Sequence, residues 1–327
     1  MWKSNVYHFG LVLSALVGLL VSDVFAQPYP VRPIRVIDAF APGGGTDIVA
    51  RIIAPKFQES LGQPLIVDNR PGAAGILGAD LAAKSPPDGY TLLMFVSNFA
   101  IQPSLYKNLP FDFTKAFTPV TQTSSLAMVL VAHPSVPAKT VKELLALARA
   151  RPDALNISSS GVGGITHMAG ELFKSMAGVR MTAIAYKGGA PATLAAVSGE
   201  VGLTFAAVPV ALQHIRDGRL RALAVSSAKR TTLMPDLPTI GEAGVPGYEV
   251  TNEYGVLAPA GTPHQIVVKL QQEIARILNL PDIGKRFMDL GMDSVGSTPE
   301  QFARHLRGEI EKWGRVAKDT GVELQTL

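Results

Sequence analysis

Three consecutive glycines, Gly43, Gly44 and Gly45, stand between an apolar run, Ile34 to Phe40, and a second apolar stretch, Ile48 to Phe57. The first run reads as a buried strand and the second as a helix, which Pro55 is expected to bend or end early. Glycines at such a junction let the backbone turn sharply and come close to a ligand. A helix start also leaves four N–H groups without internal partners and carries partial positive charge. The segment from Ala39 to Arg51 therefore offers an anion site made of backbone, with no cationic side chain required. A strand, a glycine loop and a helix in that order commit the chain to α/β alternation.

The pattern occurs twice. Gly43-Gly44-Gly45-Thr46-Asp47 and Gly163-Gly164-Ile165-Thr166-His167 share the form Gly-Gly-x-Thr-polar. Each follows a strand-like segment and leads into apolar helix residues, so a similar site is expected in each of two α/β lobes. Strands are expected at Leu65 to Val67, Tyr90 to Val96, Val120 to Ala132, Met181 to Ala185, Val201 to Ala206, Leu220 to Val225 and Thr251 to Leu257. The last would carry the chain back to the first lobe. Thr140 with Glu143, and Thr298-Pro299-Glu300-Gln301, read as helix starts with capping residues. Alternating strands and helices imply mostly parallel sheets with right-handed crossovers.

Composition narrows the function. With 47% hydrophobic and 17% charged residues the chain is globular. Its net charge of +4 is spread without blocks, which argues against nucleic acid as a partner. Cysteine is absent, which excludes disulfides, thiolate metal sites and a cysteine nucleophile. Lys3, the apolar run Phe9 to Val21 and Val24-Phe25-Ala26 form a signal-peptide pattern over residues 1–26. Export with cleavage after Ala26 is expected, and the apolar run is short for a membrane span.

Chemistry-bearing patterns fail on inspection. The first glycine loop lacks the Gly-Lys-Ser/Thr ending of a phosphate-binding loop, and Ile48 stands where a dinucleotide fingerprint needs a small residue. The histidines after residue 26 are scattered, so neither a metal nor a cofactor is expected. Asp47 and His167 each fall in the first turn of a helix, as dipole partners or packed residues on one reading and ligand contacts on the other. Tyr186 and Lys187 follow a strand and are either loop residues or a wall of a cleft. Arg70 is expected to pair with an acid such as Asp68 or Asp80. Ser160 with His167 leaves a secreted serine hydrolase as the rival, although no nucleophile-elbow pattern surrounds the serine. Strand ends with small polar residues and helix starts, without a catalytic pair, suit binding of a small anion in a crevice.

The chain resembles the periplasmic solute receptors of tripartite tricarboxylate transporters, also called Bug receptors. The resemblance is carried by Pro33-Ile34-Arg35 with Pro42-Gly43-Gly44 and Asp47, by Asp68-Asn69-Arg70-Pro71-Gly72-Ala73-Ala74-Gly75, and by Pro87-Asp88-Gly89-Tyr90-Thr91-Leu92-Leu93. It continues through Glu171-Leu172-Phe173, Tyr186-Lys187-Gly188, Leu220 to Val225, Pro235 to Thr239 and Ala258-Pro259-Ala260-Gly261-Thr262-Pro263. It implies a two-lobed periplasmic binding protein fold of the type II kind, with two crossover connections. The first lobe is then expected over residues 27–124 and 253–327, and the second over 125–252.

In this family a carboxylated solute lies between the lobes, held largely by backbone N–H groups. The resemblance places the first-lobe contacts on Pro42, Gly43, Gly44, Gly45, Thr46 and Asp47 and on Ser97 and Asn98. It places those of the second lobe on Ser159, Ser160, Gly161, Gly164, Thr166 and His167, on Tyr186 and Lys187, and on Phe205 and Ala206. The expected partners are a di- or tricarboxylate, an amino acid or an aromatic acid, and transporter subunits or a sensor protein, with the receptor a monomer. Two departures stand out. Ala206-Ala207 replaces a common Asp-Asn, which disfavours a ligand needing an acid for its amino group. Glu253 replaces a common tryptophan beside Tyr254-Gly255, which bears on the hinge.

Overall fold

A computed structural model describes residues 29–322 and 324–326, so the expected leader at residues 1–26 lies outside the described residues. Strand β1 (Ile34–Asp38) pairs in parallel with β2 (Leu65–Asn69) and β3 (Thr91–Val96). Helices α1 (Gly45–Leu61) and α2 (Ile76–Ala83) make the crossovers, and α3 (Asn98–Leu105) and α4 (Phe113–Ala116) follow β3. The second parallel group comprises β5 (Asn156–Ser159), β6 (Thr182–Ala185) and β7 (Leu203–Ala207). Around it lie α5 (Val141–Ala150), α6 (Ile165–Ala177), α7 (Gly189–Ser198) and α8 (Val208–Arg216).

One long strand joins the two groups. Strand β4 (Phe117–Ala132) pairs antiparallel with β9 (Thr251–Pro259) from Phe117 to Ala127. From Met128 onward it pairs instead with β7, and from Val129 with β8 (Arg221–Val225). Strand β9 inserts between β4 and β3, giving the path β2-β1-β3-β9-β4-β7-β5-β6. The chain therefore leaves the first parallel group along β4 and returns beside it along β9. The C-terminal elements α9 (His264–Leu278), α10 (Pro281–Asp289), β10 (Met292–Ser294) and α11 (Pro299–Thr320) follow β9, with β10 pairing to β4. No helix among the described residues is long and apolar enough to cross a membrane.

Each parallel group has its own aromatic core. Phe95, Phe99, Phe113 and Phe302 meet at 5.4–6.4 Å in the first. Phe173, Phe205 and Tyr248 meet at 6.1–6.3 Å in the second. Rings at these spacings add directional attraction to a large burial of apolar area.

Helix α1 differs from expectation, because it continues past Pro55 to Leu61. Pro55 sits on the exposed side, while Phe57 two residues on, about half a turn away, is fully buried. Burying that ring contributes about 1.5–3 kcal/mol, comparable to the roughly 3 kcal/mol cost of an interior proline. Helix α11 starts as expected: Thr298 accepts from the Gln301 N–H at 3.2 Å, and the Gln301 side chain accepts from the Thr298 N–H at 2.9 Å. At α5 only half the reciprocal cap forms. Thr140 accepts from the Glu143 N–H at 3.1 Å, but Glu143 turns to the Lys139 N–H at 2.6 Å.

Candidate functional site

The two glycine loops are built alike. Gly43 and Gly163 have positive φ of 84° and 75°, and Gly44 and Gly164 are the extended N-caps of α1 and α6. The Gly44 N–H donates to Ala41 O at 3.3 Å, and the Gly164 N–H to Gly161 O at 3.2 Å. The N–H of Gly43 donates to Asp47 Oδ2 at 3.0 Å, and that of Gly163 to His167 Nδ1 at 3.2 Å. The residue four places after the glycine thus clamps each loop from inside. The two threonines bind each helix start to the end of the preceding strand. Thr46 donates to Asp38 Oδ1 at 2.8 Å, and Thr166 Oγ1 accepts from the Ser160 N–H at 2.8 Å.

A glycine N-cap has no side chain to occupy the helix's first N–H groups. Neither Gly44 nor Gly164 supplies a capping side chain, and nor does Gly188 at the start of α7. Those donors, with their share of the helix dipole, are left for an outside anion.

All three helix starts open on one cavity of about 340 Å³. Gly44, Gly45 and Thr46 reach it from α1, Ile165 and Thr166 with Ser160 from α6, and Gly189, Ala190 and Thr193 from α7. Asn98, Asn252 and Tyr254 add polar groups from α3 and β9. The Asn252 amide donates to the Tyr254 hydroxyl at 2.9 Å, and Asn252 Oδ1 has no partner. Tyr254 is 4% exposed, and burial pushes its hydroxyl up to about 12. A smaller cavity of about 160 Å³ adjoins, sharing Asn98 and Ser160 and reaching Gly161, Gly164 and Gln102.

The residues expected to bind from the sequence fall into two sets. Gly44, Gly45, Thr46, Asn98, Ser160, Thr166, Phe205 and Ala206 line the larger cavity, and Gly164 and Gly161 line the smaller. Pro42 and Gly43 are exposed on the loop outside the larger cavity. Asp47 is buried and occupied by Gly43, Asn69 Nδ2 at 3.0 Å and Arg51 Nε at 2.8 Å. His167 is buried behind its loop, and Ser159 is buried with its hydroxyl unpartnered. Ser97 joins β3 to β9, its Oγ accepting from the Glu253 N–H at 2.7 Å. Tyr186 donates to Glu200 at 2.7 Å and Lys187 is exposed; neither lines the cavity. Arg70 pairs with Asp68 at 2.9 Å.

Sequence reasoning passed over Phe40, Gly189, Thr193, Asn252 and Tyr254. The period of two along β9 was a usable signal, since it puts Asn252 and Tyr254 on one face and Glu253 on the other.

Electrostatics keeps the clamps in fixed states. The Arg51 hydrogen bond, helped by Gly43 and Asn69 and opposed by burial, lowers the Asp47 carboxyl from 3.8 to about 2. Burial lowers His167 below 6.5, which keeps the imidazole neutral and lets Nδ1 accept from Gly163. Glu171 lies 3.5 Å from His167 Nε2 but takes its close contact from Lys174 at 2.7 Å. Ser160 Oγ shares its hydrogen bond with Thr166 Oγ1 at 2.8 Å, so the serine and His167 have separate partners.

The Asp47 shift has a checkable sign. Its folded value lies below 3.8, so its stabilisation is complete above pH 3.8 and is lost as pH falls toward 2. Asp47→Asn is expected to cost about 1–2 kcal/mol at pH 7, discounted for the half-exposed Arg51, and almost nothing at pH 2. Denaturant unfolding at several pH values checks this. An equal difference at pH 7 and pH 2 would contradict the assigned role.

Comparisons with known proteins show the family. Residues 49–322 match the family described as Tripartite tricarboxylate transporter family receptor. Protein BugT of Bordetella pertussis is 36% identical over 321 residues, covering 96% of this chain and 98% of the relative. The solved structure of R. palustris Rpa4515 with adipate is 37% identical with a TM-score of 0.79, covering 91% of this chain and all of that one. MatC (Rpa3494) from Rhodopseudomonas palustris with bound malate is 32% identical with a TM-score of 0.74, covering 88% and 99%. The two glycine-capped loops and the crossing strands of this chain thus belong to a member of the tripartite tricarboxylate transporter receptor family.

Proposed function

We propose that this chain is an exported periplasmic receptor that closes two lobes on a small organic carboxylate and delivers it to tripartite tricarboxylate transporter subunits. The observation that carries the reading is the convergence of glycine-capped helix starts from both lobes on one cavity. Relatives of the same fold hold adipate and malate, which are carboxylates. Export uses the leader with cleavage after Ala26. The lobes are residues 27–124 with 253–327, and residues 125–252, and the receptor works as a monomer.

Closure is favoured because the closed form makes both sets of anion contacts and the open form one. Charge-assisted hydrogen bonds contribute about 1.5–3 kcal/mol each, and three or four reach the roughly 8 kcal/mol of micromolar binding after the losses of association. The receptor binds without turnover. Ser160 is bonded to Thr166 and His167 to its own loop, so the hydrolase reading lacks an activated nucleophile.

A thermal-shift screen of organic acids, followed by product analysis, tests the proposal. One or a few carboxylates at about 100 times their Kd are expected to stabilise the protein by about 2.7 kcal/mol and to be recovered unchanged. Solution scattering should show a smaller radius of gyration with the same acid. Stabilisation by no carboxylate, or consumption of the acid, would remove the proposal.

A further inference from the structure

The cavity's walls say which carboxylates fit. Among its lining residues Tyr254 is the one ionisable group, and every other polar contact is a backbone, hydroxyl or amide group. Between the helix starts the wall is hydrocarbon, supplied by Val96, Leu126, Met128, Phe205, Ala206 and Val210. Tyr254 points independently to an anion. Its oxygen already accepts from Asn252, which leaves the hydroxyl proton, buried at 4% exposure, to be donated into the cavity beside Gly45.

We infer, on the basis of the receptor reading above, that the ligand is a mono- or dicarboxylate with a hydrocarbon body and no ammonium group. Charge sets the first limit. Three helix starts of about half a positive charge each balance one to two negative charges, and a tricarboxylate leaves charge unmatched in a largely apolar space. An amino acid fails for the opposite reason, because its ammonium group would face three positive helix ends with no carboxylate on the wall to accept it. Solvation sets the second limit. A hydroxyl-rich acid would lose its water against Val96, Leu126, Met128 and Phe205 without regaining hydrogen bonds, whereas methylenes or a ring gain from burial there. Size sets the third. At about 30 Å³ per water, 340 Å³ holds about eleven water-sized groups, which suits a short alkanoate, an alkanedioate or a single-ring acid.

Isothermal titration of the mature chain with hexanoate, adipate, benzoate, citrate, glutamate and the neutral hexan-1-ol tests this. At least one of the first three is expected to bind tenfold or more tightly than citrate and glutamate. Val210, which is 48% exposed in α8, supplies variants that keep the fold. Val210→Asp is expected to weaken that hydrocarbon acid at least tenfold by placing an anion on the wall, and Val210→Thr about threefold. Tighter binding of citrate or glutamate, or no loss in Val210→Asp, would overturn the hydrocarbon assignment while leaving the receptor reading intact. Binding of hexan-1-ol as tightly as hexanoate, or of no acid at all, would defeat the receptor reading and the inference with it.

Discussion

Gly45→Ala is expected to weaken carboxylate binding at least 100-fold, whereas Gly44→Ala, one residue earlier in the same loop, changes it by about threefold or less. A Cβ at Gly45 would overlap the Tyr254 hydroxyl, with ring atoms Cζ at 2.6 Å and Cε1 at 2.8 Å. Tyr254 is 4% exposed and sits on a central strand, so its ring has little room to retreat except into the cavity. The substitution therefore blocks the first-turn N–H groups of α1 and moves the hydroxyl that faces the ligand. A 100-fold loss corresponds to about 2.7 kcal/mol, and overpacking should cost a further 1–3 kcal/mol in stability. At Gly44 the nearest atom to a new Cβ is Ala41 O at 3.4 Å, and φ of −72° is one that alanine adopts. Titration of both variants with the tightest-binding acid reads the contrast. Equal losses in the two would mean that the helix start and Tyr254 do not form one contact surface.

That contrast also marks what was legible in the sequence. Both glycine loops, their strands and their helices were readable, because a strand end, a turn and a helix start are encoded within about fifteen adjacent residues. The likeness of Gly43–Asp47 to Gly163–His167 held down to the N–H groups that Asp47 and His167 accept. Whether those two side chains face a ligand or the loop itself was undecidable from sequence, since both roles call for a polar residue in the first turn. Their closeness to their own glycines decides for the loop. The third helix start was hidden differently. Tyr186 and Lys187 drew notice as polar residues, yet the cavity is reached by the backbone of Gly189 and Ala190. Asn252 and Tyr254 enter from the far end of the chain because β9 inserts between β3 and β4, a pairing with no local signature. Helix α3, with Pro103 inside it, also lacked a readable signal, whereas α10 offered one in Pro281 at its first position and Asp282 in its first turn.

His305→Ala is expected to cost about 2 kcal/mol of stability at pH 6 and distinctly less at pH 9. Glu253 sits on the face of β9 opposite Asn252 and Tyr254, with 5% of its surface exposed, and its Oε2 lies 2.7 Å from His305 Nε2 on α11. Removing the imidazole strands that carboxylate with the Thr251 hydroxyl, 3.2 Å from Oε1, as its other partner. Breaking a fully buried pair costs about 3–5 kcal/mol. The His305 side chain is 36% exposed, so solvent screening brings the loss below that range, to about 2 kcal/mol. The Glu253 hydrogen bond, aided by Glu309 and opposed by burial and Lys312, raises the histidine's pKa above 6.5. The unfolded chain then binds fewer protons than the folded one as pH rises from 6.5, so stability falls with pH. The contribution is complete below 6.5 and lost as pH rises through the raised folded value.

Denaturant unfolding of wild type and variant at pH 6 and pH 9 reads the difference. A gap that stays constant or grows at pH 9 would rule out a charged pair. The effect should reach the cavity as well. The Glu253 N–H also donates to Ser97 Oγ, and the Ser97 N–H returns to Glu253 O at 3.1 Å, so this residue fixes the register of β9 beside β3. Loosening it frees Asn252 and Tyr254 on the opposite face, and His305→Ala should weaken ligand binding several-fold although His305 does not line the cavity. Glu253→Gln separates the two effects, because it keeps a hydrogen bond to a neutral His305 while removing the charge. It should retain ligand affinity and lose the pH dependence.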